Sequence, residues 1–233
     1  MTKYNLNNEP WDIICDFDGT ISLIDVTDSL LEKFAPPEWE EIEKTWQKGI
    51  IGSHECLAQQ IPLLDMSQVE LNRHLDEIEI DPDFSTFVAE IQQNGHKITV
   101  VSDGLDYAIQ RILNRYGLGS LVIKANKLIQ RSERSWSVTF PHTNPNCEIS
   151  SGNCKCAVAE KHQLENQLEN IKLDKSLLIG DGTSDFCIAA KVDFVFAKNV
   201  LIKHCIREKI PHFPLENFSQ VRSLFQHISF NGN

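Results

Sequence analysis

Residues 13–20, Ile13-Ile14-Cys15-Asp16-Phe17-Asp18-Gly19-Thr20, constrain the fold more than any other stretch of the chain. A short β-branched run bounded by turn formers reads as a buried strand, and this one ends in two carboxylates spaced i, i+2. Acids at the mouth of a buried strand are costly to place unless they bind a cation or do chemistry. A tight hairpin at Asp18-Gly19 would need a second strand pattern directly after it, and the residues that follow carry helical spacing instead. A calcium loop sets its glycine at the sixth position, whereas Gly19 is the fourth residue counted from Asp16.

The rest of the chain surrounds that strand in a regular way. Residues 22–95 hold one helical pattern after another and no strand pattern, with Asp28 as a candidate cap for the first and Trp39, Ile42 and Trp46 on one helix face. Residues 96–102 form a second β-rich run, ending in Ser102-Asp103-Gly104, and a helical pattern over 105–116 follows. Strand-like pieces at 121–123 and 136–140 lead into a polar, Cys-rich loop (141–156) and a helix over 157–168. A third buried-strand run, 175–179, ends in Gly180-Asp181-Gly182-Thr183-Ser184-Asp185; a helix, a fourth strand at 193–197 and a mostly helical tail complete the chain. Alternating strands and helices predict an α/β fold with a Rossmann-like parallel sheet wound on both faces. The expected domains are a core of residues 1–21 and 96–233 and an inserted helical cap of residues 22–95. Such sheets bind ligands beyond the carboxyl ends of their strands, where Asp16 and Asp18, Ser102, and Asp181 and Asp185 would meet.

A net charge of −11, from 22 Lys+Arg against 33 Asp+Glu, argues against nucleic acid and anionic membranes as partners. It leaves room for an anionic substrate, because a metal ion reverses the potential inside one cleft. No run reaches the length of a membrane-spanning helix, and the first ten residues carry no apolar segment of the secretory kind. Seven cysteines, an odd number, fit a reduced cytoplasmic protein.

The residue types suggest their own chemistry. Mg²⁺ takes one or two carboxylates plus water and phosphate oxygens, a role for Asp16 and Asp181. The second oxygen of Asp16 can then attack phosphorus, while Asp18 protonates the leaving alkoxide and later activates water. Ser102 offers a hydroxyl to a phosphoryl oxygen, and a lysine should complete the cage.

Asp16-Phe17-Asp18-Gly19-Thr20, Val100-Val101-Ser102 and Gly180-Asp181-Gly182-Thr183-Ser184-Asp185 resemble motifs I, II and IV of the haloacid dehalogenase (HAD) superfamily of phosphohydrolases. The resemblance implies Asp16 as nucleophile and Asp18 as acid and base. It implies Mg²⁺ held by Asp16, the Asp18 carbonyl and Asp181 with Asp185 in support, and phosphate held by Ser102, Asp103, Gly104 and a lysine. The inserted helical segment and Ala125-Asn126-Lys127-Leu128 are similar to the phosphoserine phosphatase-like branch, subfamily IB. Lys155 in Cys154-Lys155-Cys156 precedes a helix in a way that resembles the motif III lysine of the phosphoethanolamine/phosphocholine and methionine-salvage types, which also have Cys-rich loops there. Lys161 and Lys172 are its competitors. The cap acid of phosphoserine phosphatase falls at Asp25, but its arginine position falls at Gln59-Gln60. A carboxylate wants a bidentate cation, so a phosphoamino acid fits less well. Residues 34–39 and 140–156 look most like the methionine-salvage phosphatases of the branch, whose substrate's thioether tail Trp39 or Trp46 would pack against. The implied activity is Mg²⁺-dependent hydrolysis of a small phosphomonoester by a monomer or homodimer; phosphoserine, phosphoethanolamine and phosphocholine are the alternative substrates.

Other readings stay open beside this one. His142, Cys147, Cys154 and Cys156 can be drawn as a zinc site, although the Cys-x6-Cys-x-Cys spacing is uncommon for zinc. A cation between Cys154 and Cys156 would depress their pKa values and sensitise them to oxidation. His54 and Asp106 are candidates for lining the cleft, and Lys198 reads as a surface residue. A phospho-acceptor switch or a zinc-stabilised binding module are the non-enzyme alternatives.

Overall fold

A parallel strand with neighbours on both sides must be apolar on both faces, and β1 (Trp11–Cys15) is buried at every position. The protein is described here from a computed structural model covering residues 10–147, 149–168, 173 and 175–229. After β1 come α1 (Val26–Phe34), α2 (Trp39–Gln47), α3 (Ser53–Gln60), α4 (Gln68–Leu75) and α5 (Phe84–Gln93). They are followed by β2 (Lys97–Leu105), α6 (Asp106–Arg115), β3 (Val122–Gln130), β4 (Trp136–Thr139) and α7 (Lys155–Leu168). The chain ends with β5 (Lys175–Gly180), α8 (Phe186–Ala189), β6 (Phe194–Ala197), α9 (Asn199–Glu208), β7 (His212–Pro214) and α10 (Phe218–Ser229).

The seven strands form one sheet in the order β4-β3-β2-β1-β5-β6-β7, parallel except for β4 against β3. This is the α/β core expected from the alternation of patterns. Because β2, β1 and β5 are adjacent, their carboxyl ends lie side by side. The ladder between β2 and β3 shifts register between Val101 and Leu105, which turns Ser102, Asp103 and Gly104 out of regular pairing at that rim.

Three details differ from the sequence pattern. α1 starts at Val26 with Asp25 as its cap, the Asp25 carboxylate accepting from the Asp28 N–H at 2.9 Å, so Asp28 sits in the first turn. β3 runs on through Lys124, Asn126 and Lys127, polar residues that break an apolar run but suit a two-stranded ribbon with β4 beyond the sheet. The tail contains β7, only three residues long and ending in Pro214, which is tolerable at a sheet edge because an edge strand needs no further N–H.

Inside the expected cap span, α5 packs against β2 and α10. Phe84 and Phe87 meet Phe218 with ring centroids 4.8 and 5.2 Å apart, and the Phe218 N–H donates to Asp81 at 3.0 Å. The β3–β4 ribbon reaches the segment between α3 and α4. There the Trp136 indole donates to the Met66 carbonyl at 2.8 Å, and Arg134 pairs with Asp65 and Glu70 at 2.6 and 2.8 Å. Among the described residues no helix is long and apolar enough to cross a membrane.

Candidate active site

The rim where β1, β2 and β5 end gathers most of the residues singled out above. Asp16 leaves β1 with its N–H on the Ile179 carbonyl, and its Oδ1 accepts from the Phe17 N–H at 2.8 Å and from Lys155 at 2.8 Å. Lys155 opens α7, is only 1% exposed, and donates also to Asp185 Oδ1 at 2.6 Å. The second Asp185 oxygen accepts from the Asp181 and Gly182 N–H groups at 3.0 and 3.1 Å. Asp181 is held by Thr20 at 3.2 Å and by the Asn199 side-chain amide at 3.0 Å. Ligand atoms of Asp16, Asp181 and Asp185 all lie within 4.8 Å of one another, the one group of three possible metal ligands among the described residues.

Two glycines are required by this geometry. Gly19 has φ +69, and a Cβ there would stand 2.6 Å from Asp181 Oδ2; at Gly104 it would stand 2.5 Å from Asp18 Oδ2. Asp18 faces away from the carboxylate triad. Its Oδ1 accepts from the Val26 N–H at 2.8 Å and its Oδ2 from Ser102 at 3.2 Å, while Ser102 itself accepts from the Gly104 N–H at 2.9 Å.

Electrostatics follow from burial and from three acids facing one ammonium. Burial pushes the Asp16 carboxyl up, Lys155 opposes, and Asp185 and Asp181 add to the rise. Burial alone would lower Lys155, but the adjacent Asp16 and Asp185 hold it above its ordinary value. Asp18 is pushed up to about 8, first by burial and then by Asp25. The donor set is all hard oxygen, which suits Mg²⁺, and its excess negative charge is the kind a divalent cation offsets.

A cavity of about 400 Å³ opens over these groups, roofed by α1–α3. Asp25 and Gln60 line it as expected, and so do Asp103 and Gly104. Trp39 does not: it packs on the hydrophobic core and its carbonyl accepts from Gln60 at 3.4 Å, and Trp46, on the next turns of the same face, reaches the cavity instead. Asp103 turns its carboxylate sideways, with Oδ1 accepting from Asn126 at 2.9 Å and the Asn153 N–H at 2.7 Å, and Oδ2 accepting from Ser53 of α3. Beside this contact the His54 ring centroid lies 4.0 Å from that of Phe140, the His54 backbone N–H donates to the Ser150 carbonyl, and the Gly152 N–H donates to Ser53 at 3.2 Å. His54 therefore belongs to a seam between α3 and the 140–153 loop, not to the cavity lining. Asp106 accepts from the Tyr107 and Leu128 N–H groups and is likewise outside the cavity.

Of the competing lysines, Lys161 is exposed on α7 and Lys172 lies outside the described residues. Lys198 is half-buried, with its ammonium on the Thr20 carbonyl at 3.3 Å, not a free surface residue. His142, Cys147, Cys154 and Cys156 form no group of three possible ligands. The expected depression of Cys154 and Cys156 is reversed: burial raises Cys154, and contact with Cys187 together with burial raises Cys156. Cys187, which receives that contact, is lowered to about 7; burial acts to raise Cys147, but hydrogen bonds from Ser151 lower it. Sequence reasoning missed Thr20, Ser53, Asn153 and Asn199 as partners of the acids. Only Asn126, in Ala125-Asn126-Lys127-Leu128, carried a signal.

Together the fold and rim define a hydrolase of the HAD type, and a family model of haloacid dehalogenase-like hydrolases matches residues 13–190. The chain belongs to that family, and it is a phosphatase. It is 30% identical over 93% of its length to the 2-hydroxy-3-keto-5-methylthiopentenyl-1-phosphate phosphatase of Exiguobacterium sp. strain AT1b, of which the match covers 98%. The enzyme of the same name from Brevibacillus brevis is 27% identical over 93% of this chain and 95% of its own. Among solved structures, a substrate-bound phosphoserine phosphatase superposes with a TM-score of 0.69 at 19% identity, covering 93% of this chain and 99% of that one, a likeness of fold.

Proposed function

We propose that this chain is an Mg²⁺-dependent phosphomonoesterase working through an aspartyl-phosphate on Asp16, with the methionine-salvage phosphate ester of its relatives' name as substrate. The carrying observation is the buried Asp16–Lys155–Asp185 chain beside an Asp18 held on the opposite side. Lys155 and the Phe17 N–H fix Asp16 Oδ1, which leaves Oδ2 to bond to phosphorus. The ester oxygen leaves with the proton of Asp18; Asp18 then takes a proton from water as that water attacks the acyl phosphate, freeing phosphate and restoring Asp16. Ser102 and Lys155 donate to phosphoryl oxygens. Asp16, Asp181 and the Asp18 carbonyl would hold Mg²⁺, with Asp185 supporting them; when bound, the ion offsets charge on the phosphoryl group.

The cap in this reading is formed by α1–α4, while α5 goes with the core on which it packs. A roof over the cavity excludes water during transfer. The substrate assignment rests on the full-length match to the named relatives and on the cavity lining, where Gln60 stands and no arginine is found among the described residues. That lining is in keeping with the resemblance that puts the cap arginine of phosphoserine phosphatase at Gln59-Gln60. Seven free thiols support a cytoplasmic setting. The test is release of phosphate from p-nitrophenyl phosphate and from the methionine-salvage ester with Mg²⁺. Asp16→Asn should abolish both, since an amide is no nucleophile; hydrolysis surviving in that variant refutes the mechanism. Phosphoserine turned over faster than the salvage ester refutes the substrate.

A further inference from the structure

The cap half of the cavity is walled by acids and neutral groups, and no lysine, arginine or histidine is among its described lining residues. The Glu43 carboxylate is held at the wall by neutral donors alone. Oε2 accepts from Gln60 at 3.1 Å and from the Cys56 thiol at 3.9 Å, and Oε1 accepts from Gln47 at 3.1 Å. Gln60, only 2% exposed, spends the same amide on the Trp39 carbonyl, so Glu43 is fixed from beneath by a side chain that cannot swing away. Asp28 lies in the first turn of α1, and the charged groups that act on it, Asp25, Glu43 and Glu32, are all acids; with burial they push it up to about 7. Trp46 and Leu57 supply the apolar part of the same wall.

We propose that Asp28 and Glu43 act as a charge filter at the cap end of the cavity, admitting phosphomonoesters with an uncharged tail and turning away those that carry a second anion such as a carboxylate. The filter rests on the phosphatase reading of the site and adds to it the residues that choose the substrate. The phosphate end would be served by Lys155 at one side of the triad and, when bound, by Mg²⁺. A second anion on the tail, by contrast, meets the Glu43 carboxylate and an Asp28 that is only partly ionised near neutral pH. In this partly enclosed, low-dielectric space Coulomb repulsion is strong, and entry of the anion would have to drive a further proton onto these acids. Rejection of this kind is specificity by repulsion, and it needs no contact with the favoured substrate.

The experiment uses the full chain with Mg²⁺ and a nearly isosteric pair, glycerol 3-phosphate and 3-phosphoglycerate, which differ by a hydroxymethyl against a carboxylate. Hydrolysis of p-nitrophenyl phosphate is the reference, and each compound is also titrated as its competitive inhibitor, so that a slow substrate still reports its binding. The readout is the ratio of the two compounds' kcat/KM values, or of their inhibition constants. The wild type should favour the neutral ester by at least about tenfold. Glu43→Gln and Asp28→Asn should each shrink that ratio, and the double variant should bring it near unity. Raising the salt concentration should narrow the ratio for the wild type more than for the double variant, because only a charge effect is screened. Equal use of the two esters by the wild type, or a ratio unmoved by both substitutions and by salt, overturns the filter and leaves the phosphatase reading standing. Failure to hydrolyse p-nitrophenyl phosphate at all refutes that reading, and the filter with it.

Discussion

Replacing Lys155 by methionine keeps most of the side chain's volume and removes its charge. In the native protein the ammonium lies 2.8 Å from Asp16 and 2.6 Å from Asp185, and none of these three side chains is more than 7% exposed. Removing one partner of a buried pair costs about 3–5 kcal/mol, because the charge left behind is desolvated and uncompensated. Here two carboxylates are stranded together, with Asp181 close by, so the upper half of that range applies. Against a whole-domain stability of about 5–15 kcal/mol, the variant should lose about a quarter of its margin or more. The assay is urea unfolding in EDTA, followed by tryptophan fluorescence and far-UV circular dichroism, and repeated in Mg²⁺. A cation that binds only the native state returns about 2.7 kcal/mol at a hundredfold excess over its dissociation constant, so Mg²⁺ should recover roughly half of the loss while phosphate release stays lost. A loss below about 1 kcal/mol in EDTA, the scale of an exposed pair, would refute the reasoning, since the two acids would then have some other way to tolerate burial.

Three further outcomes follow from single contacts. Ser53→Ala removes the hydroxyl that joins Asp103 to the Gly152 N–H across the seam; losing about 1 kcal/mol there should raise KM about fivefold, Ser53→Thr should restore it, and an unchanged KM would refute the seam's role. Gly19→Ala forces a side chain into φ +69 and against Asp181, so half-maximal activity should need at least about tenfold more Mg²⁺; an unshifted Mg²⁺ titration would contradict it. Burial holds His96, whose Nδ1 accepts the Trp11 N–H at 3.0 Å, below its ordinary 6.5. As pH falls through 6.5 the unfolded chain binds the proton first, so stability declines from there until the folded imidazole titrates. His96→Gln, which keeps an acceptor, should flatten unfolding free energy against pH between about pH 5 and 7, and a slope equal to the native one would count against this account.

Asp16, Asp18 and Asp181 were legible because they follow at once on the buried strands β1 and β5, and Ser102 because it ends the apolar run of β2 where the ladder with β3 shifts; neighbouring parallel strands present those points together. Lys155 was not legible in that way. It reaches Asp16 from the first turn of α7, and only the resemblance of its surroundings pointed to it. Helical spacing put Trp39 and Trp46 on one face of α2 without telling which turn overhangs the cavity; the answer depends on how α2 meets α3. Asn153 and Ser53 act on Asp103 from loops and helices far along the chain, and no local pattern announces such partners. The span of β7 is too short for a period of two to register, and α5 resembles its helical predecessors although its apolar face, with Phe84 and Phe87, belongs to the core.

The β3–β4 ribbon gives the roof of the cavity a fixed side. Arg134 grips Asp65 and Glu70, and Trp136 is tied to Met66, so the link between α3 and α4 is pinned to the sheet independently of the covalent connections. The margin at Ser53 meets the core through the Ser53–Asp103 bridge, the Gly152 N–H on Ser53, the His54 backbone N–H on the Ser150 carbonyl and a tilted pair of rings, His54 and Phe140. Both margins of the roof are therefore tied to the core, one by the ion pairs of Arg134 and the other by hydrogen bonds centred on Ser53, and neither depends on its covalent links alone to stay over the cavity.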